Sequence, residues 1–384
     1  MTDTAPSGAK ASPPALPLAP YTGCRGEARE QFAALSNNLL RDGGGADDFR
    51  QAAAGLYELF NEIGGRPQNI TGAGAFTWQQ ESLLPGGKAI NPYAAATCLL
   101  DHARTRAFGR GVRAAIAAAQ SRFPGERIEL LYAGTGPFAP LALLQTAFFG
   151  PDEVHFTLID MHSAALLCQA QIISVLGHED YVAETVQADA TRWRPAQYKK
   201  YHVAVAEVMQ RGLIVEPQVA VTLALLRHLR PGGLLVPERV ELTLCLLNAG
   251  TEKHLADAAV DHLSEYFRLS GDSLPDCLAT TSRERVIIGT PFALTAAVAD
   301  TYEVTDTGLI SLPPIRLPDR LPPGHKLRIL TRITTSGGNV LGDYDSGLTI
   351  PEPLVEEPPL TDGAWYEIWY GMQGIPGLRL MPAA

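Results

Sequence analysis

The sequence predicts a doubly wound α/β domain followed by an antiparallel β domain, with a short helical segment in front of both. Three observations carry this. Between Arg127 and Leu247 the apolar runs IELLYAG, VHFTLID, ETVQAD, YHVAVAE and LLVPERVELTLCLL alternate with helical stretches after the first, second and fourth. That alternation is the signature of a parallel sheet covered by helices. Past Leu247 come RERVIIG, FALTAAV, TYEVTD, HKLRILTRITTS, DSGLTI and WYEIWYGM, short alternating strands punctuated by Pro and Gly that fit a barrel or sandwich. Before both, EAREQFAALSNNLL and DDFRQAAAGLYELFNEI carry apolar residues at helical spacing on either side of a glycine turn.

In chain order, residues 1–22 are rich in Pro and Ala and read as a disordered tail. Residues 23–85 form the helical segment and end in a glycine loop near Thr71 to Gly74, a possible lid. Helical periodicity runs from Pro92 through Gln120 and opens the sheet domain, 86–237. The β domain is 238–384, with a helical stretch near 251–268. Apolar content of 46% and charged content of 19% fit an ordinary soluble protein. The net charge of −10 excludes nucleic acid as an expected partner and favours a cationic substrate. No apolar run reaches the roughly 18 residues of a membrane span. The five cysteines are scattered without CxxC spacing, which implies reduced thiols in the cytoplasm and no metal site.

Ligands of a doubly wound sheet bind beyond the carboxyl ends of its strands. There the sequence places YAGTGPFAP (132–140), with Tyr132, Gly134 and Gly136 in a glycine turn, then Asp160, then Asp189. An acid at the second strand end suits the two hydroxyls of a ribose, and Asp189 can accept from an adenine amino group. The turn has neither the dinucleotide fingerprint nor the Gly-Lys-Ser/Thr of a phosphate loop, so S-adenosylmethionine is the leading cofactor. After the next strand, AEVMQRGLIVE carries Glu207 and Glu216 nine positions apart. Two carboxylates on a folded-back loop can grip a guanidinium from two edges.

These motifs resemble the arginine methyltransferase family. The paired glutamates precede a helix and the step HLRPGGLLVPERVEL with Pro237. Upstream, Asp101-His-Ala-Arg104-Thr105-Arg-Ala-Phe108 is similar to the family's Asp-x-x-Arg-Thr helix. The resemblance implies a class I S-adenosylmethionine methyltransferase domain followed by a β-barrel. It also implies that Arg104 binds the cofactor carboxylate, that Glu207 and Glu216 are catalytic, and that the chain dimerises through an arm near 251–268. Tyr132 replaces the first glycine of the family's cofactor loop, while the Pro after Gly136 is more like the branch that makes symmetric products. AWYEIWY resembles the family's Thr-His-Trp loop, which makes Trp365 a substrate contact and leaves Ala364 in the place of the histidine. The helical segment and the glycine loop, as a lid, favour a small substrate. The chain looks like the free L-arginine methyltransferases of nitrosourea antibiotic pathways, which make Nω-methyl-L-arginine and S-adenosylhomocysteine. A protein arginine methyltransferase and a silent cofactor-binding scaffold are the alternatives.

Overall fold

The described chain of the computed structural model comprises Leu18, residues 20–65, 78–248, Gly250, Glu252 and residues 284–383. The expected glycine lid, the bulk of the expected dimerisation arm and Cys277 lie outside these residues. Leu18 and Tyr21 pack, partly buried, against the core, so the end of the expected tail is anchored by its apolar side chains.

Helices α1 (Arg25–Leu40) and α2 (Ala46–Gly64) form an antiparallel pair. Their apolar faces, with Phe32, Leu56, Phe60 and Ile63, share one core with the sheet domain, and Phe60 meets Phe138 with ring centroids 5.3 Å apart. A hairpin absent from the sequence reading follows, β1 (Ser82–Leu84) and β2 (Gly87–Ala89). The helical periodicity beyond it breaks at Asp101. α3 (Pro92–Thr97) and a 3-10 turn end there, and α4 (His102–Arg122) begins. The cause is a cap: Asp101 leaves helical geometry at ψ 81° and its carboxylate accepts the Arg104 N–H at 3.1 Å.

The parallel sheet contains β3 (Ile128–Ala133), β4 (Val154–Asp160), β5 (Val182–Gln187), β6 (Tyr201–Ala206) and β7 (Leu229–Val236), in the order β5-β4-β3-β6-β7. The direction of winding reverses between β3 and β6, which makes their carboxyl ends the switch point where ligands bind. The connecting helices are a short α5 (Pro140–Leu143), α6 (Ser163–Leu176) and α7 (Gln218–Leu226). The last run expected as one strand is two: after the cis Val236–Pro237 bond the chain leaves the parallel sheet as β8 (Arg239–Asn248).

β8 lies in an antiparallel sheet of order β12-β11-β8-β9, with β9 (Val286–Thr295), β11 (His325–Thr334) and β12 (Val340–Leu341). A second, β10-β13-β14, contains β10 (Leu309–Arg316), β13 (Trp365–Gly371) and β14 (Gly377–Pro382). The two share a core in which Phe292 stacks on Tyr370 with ring centroids 5.1 Å apart. The predicted RERVIIG and FALTAAV merge into β9. DSGLTI is a 3-10 turn rather than a strand, because the Ser346 hydroxyl caps the Leu348 N–H at 3.1 Å. No described helix is long and apolar enough to cross a membrane.

Candidate active site

Every residue that the sequence placed at a strand end comes together. One cavity beyond the carboxyl ends of the parallel sheet is lined by Arg104, Tyr132, Gly134, Gly136, Asp160, Asp189, Glu207 and Glu216. Its roof is the β1–β2 hairpin and α3, which contribute Leu84, Ala89, Pro92 and Ala95.

The glycine turn is tight for a reason. Gly134 (φ 75°) lies so close to the glutamate loop that a Cβ there would come 2.0 Å from Val208 Cγ1, and Gly136 (φ 61°) is also left-handed. Asp160 braces the turn from the next strand: one oxygen accepts the Gly136 N–H at 2.8 Å, the other the His162 N–H at 2.9 Å. Gln169, buried on α6, adds a bond to the Thr135 hydroxyl at 2.6 Å. Asp189 folds its own turn through Thr191, whose N–H and hydroxyl both donate to it. The lone pairs that remain on both acids are free to meet a ligand. His162 also lines this cavity and lies 3.2 Å from the Ser82 hydroxyl.

At the other end, Glu207 ends β6 and Glu216 precedes α7. The loop between them turns through two successive left-handed positions and one more: Gly212 (φ 69°), Leu213 (φ 52°) and, after Ile214, Val215 (φ 65°). Leucine and especially β-branched valine in that region cost on the order of 1–3 kcal/mol each, so surrounding contacts must hold the shape. Buried Gln218 bridges both neighbours of Glu207, accepting the Val208 N–H at 3.0 Å and donating to the Ala206 carbonyl at 2.9 Å. Val215 accepts the Lys88 N–H of β2 at 2.8 Å. From the β domain, the Thr331 hydroxyl accepts the Gly212 N–H at 2.7 Å, the Tyr370 hydroxyl donates to the Leu213 carbonyl at 2.6 Å, and Glu352 pairs with Arg211.

Glu207 and Glu216 are both buried, and burial raises the pKa of each. For Glu216 the rise reaches about 7, from burial and the charge of Glu207, opposed by Arg104. Arg104 pairs directly with Glu207, so a guanidinium of the chain itself already sits on one arm of the fork. With both glutamates ionised the trio has a charge of −1, which one added guanidinium neutralises. Cys98 also lines the cavity, its thiol pushed up to about 11 by burial.

Trp365 corrects the sequence expectation. It starts β13, is 52% exposed, and does not line the cavity. The end of that strand near the glutamate loop is Tyr370, and five residues of strand, about 17 Å, separate the two. From the β domain, Ser346 and Gly347 reach the Arg104 helix, donating to the second oxygen of Asp101 at 2.6 and 2.9 Å. Gln218, Gln169, Ser346, Thr331 and Tyr370 were absent from the sequence reading. The only signal was that Gln218 follows the loop as a polar residue opening a helix whose other residues, Thr222 apart, are apolar.

Among the described residues no group of His, Cys, Asp and Glu forms a metal site, and Cys24, Cys98, Cys168 and Cys245 are free thiols. No family model matches the sequence, and no curated protein matches it either. Among solved structures, the chain is similar to the Trypanosoma brucei PRMT1 enzyme–prozyme heterotetrameric complex with AdoHcy, at 12% identity over 72% of this chain and 86% of that one, with a TM-score of 0.44. It is likewise similar to Arabidopsis thaliana protein arginine methyltransferase 10 in a uniquely open conformation, at 12% identity over 72% and 87% of the two chains, with a TM-score of 0.42.

Proposed function

We propose that this chain is an S-adenosylmethionine-dependent N-methyltransferase acting on the guanidino group of free L-arginine to give Nω-methyl-L-arginine, in bacterial natural-product biosynthesis. The observation that carries the reading is the pair Glu216, buried, and Glu207, its side chain 11% exposed, in one cavity lined by a single arginine. Two buried carboxylates against one cation are costly until a second cation arrives.

The residues of the cavity suit the cofactor. Asp160 and Asp189 offer acceptors to a nucleoside, and Arg104 has N–H donors beyond the one on Glu207 for an amino-acid carboxylate. When bound, S-adenosylmethionine supplies an electrophilic methyl group. The chain does the rest by position and charge. A guanidinium is protonated at neutral pH with its lone pairs delocalised. Glu207 and Glu216 would hold it from two edges, aim one terminal nitrogen, and draw positive charge away from that nitrogen. Arg104 keeps Glu207 in place while this happens. No strong base is needed beforehand, because the nitrogen becomes more acidic as it gains the methyl group. Glu216, with its pKa near 7, exchanges its proton for the incoming guanidinium.

The β1–β2 hairpin and α3, which line the cavity with Leu84, Ala89, Pro92 and Ala95, favour a small substrate over a peptide. Free thiols suit a reducing, cytoplasmic compartment, and a homodimer remains the expectation attached to the segment near 251–268. Mass spectrometry with labelled S-adenosylmethionine tests the reading, offering free L-arginine and an arginine-rich peptide. Label in Nω-methyl-L-arginine is the expected result. Label in the peptide alone points to a protein arginine methyltransferase, and label in neither leaves a cofactor-binding scaffold.

A further inference from the structure

A second cavity adjoins the first across Leu84 and Pro217, which line both. Pro217 directly follows Glu216, so this groove lies against the wall of the cavity that holds the fork. Its walls come from three parts of the fold. Arg192 stands on the turn after β5, Arg227 at the end of α7, and Asp306 and Gln373 on the β domain. Among the described residues neither Arg227 nor Asp306 forms an ion pair, and Arg192 pairs only loosely, with Asp189 at 3.8 Å. The structure therefore gathers two arginines and one aspartate, uncommitted or nearly so, beside a site for a cation, on a chain whose net charge is −10.

We propose that this groove binds the main-chain carboxylate and ammonium of the amino acid whose guanidino group lies between Glu207 and Glu216. Arg227 and Arg192 take the carboxylate, and Asp306 takes the ammonium. The inference rests on the guanidine-methylating reading and deepens it by naming what recognises the other end of the substrate. Guanidinium donors match a carboxylate in pairs. The same two arginines disfavour an arginine-rich peptide, whose cationic flanks they repel. A peptide bond would also remove both charges that the groove is arranged to meet.

The test compares kcat/KM for L-arginine, agmatine, which lacks the carboxylate, and Nα-acetyl-L-arginine, which lacks the ammonium. It uses the full-length protein, its Arg227→Ala and Arg192→Ala variants, and Asp306→Asn. The protein should prefer L-arginine to agmatine by about tenfold or more, the scale of one charge-assisted contact. Either arginine variant should collapse that ratio toward one by raising KM for L-arginine, with kcat less affected, and Arg227→Lys should restore part of it. Asp306→Asn should narrow the gap between L-arginine and its acetylated form. Equal use of L-arginine and agmatine overturns the assignment, as does a uniform loss on all three substrates. Methylation of peptide arginine alone overturns the groove assignment while guanidine methylation stands; methylation of no guanidine overturns both. Thermal melts of each variant separate loss of folding from loss of recognition.

Discussion

The acids at the two ends of the cavity are treated in opposite ways. Asp160 and Asp189 are tied to their own chain: Gly136, His162 and Thr191 donate to them, so they shape the turns they belong to before any ligand is present. Glu207 and Glu216 share one arginine between them, and burial raises the pKa of both. The first end is a scaffold complete in itself; the second, on the proposed reading, is complete only with a cation in it. Binding energy at the second end can thus be spent on orienting the bound group, because the free site holds its charge at a cost.

The largest effect should come from Glu207→Gln. It removes a fork arm and also the partner of Arg104, and should lower kcat by about 100- to 1000-fold, the scale of losing one oriented electrostatic partner. Turnover within tenfold of the unaltered protein would break the comparison.

Glu216→Gln sharpens it through pH. With a folded pKa near 7 against an ordinary 4.5, the folded protein binds more protons than the unfolded chain between those values. Stability therefore falls as pH rises through that window, and the penalty is complete above about 7. Glu216→Gln should melt a few degrees above the unaltered protein at pH 8, with the difference shrinking toward pH 5. In kinetics, kcat/KM for the guanidine should fall below about pH 7 in the unaltered protein, and this acid limb should be absent from the residual activity of the variant. Equal melting offsets at both pH values would contradict the burial of an ionisable group there.

Gln218→Ala should act on the shape of the loop. It leaves the Val208 N–H and the Ala206 carbonyl without their buried partner, at about 1–3 kcal/mol, read as a lower melting temperature together with a lower kcat. The smallest effect belongs to Trp365→Ala: stability should change within about 0.5 kcal/mol, as at an ordinary surface position, with the KM for arginine unmoved. A several-fold rise in KM would return Trp365 to the site.

The sequence by itself determined the parts of this protein that follow from chain order and short range. Apolar alternation marked the five parallel strands, and residues just past strand ends had to meet at one edge, so Tyr132, Asp160, Asp189 and Glu207 were legible as neighbours. Asp101 and Arg104 were visible as a motif, though not as a helix break. The tertiary structure decided whatever depends on pairing between distant segments. It placed the β1–β2 hairpin over the cavity, put Ser346 and Gly347 on Asp101, and sent Trp365 to the far end of its strand. It also set Thr331, Gln218 and Tyr370 to hold a loop whose leucine and valine adopt backbone angles they do not favour alone. Periodicity gives the face of a strand and not which strand lies beside it. The neighbours that press Glu207 and Glu216 together out of water are therefore set by the packing of two domains, which no local pattern encodes.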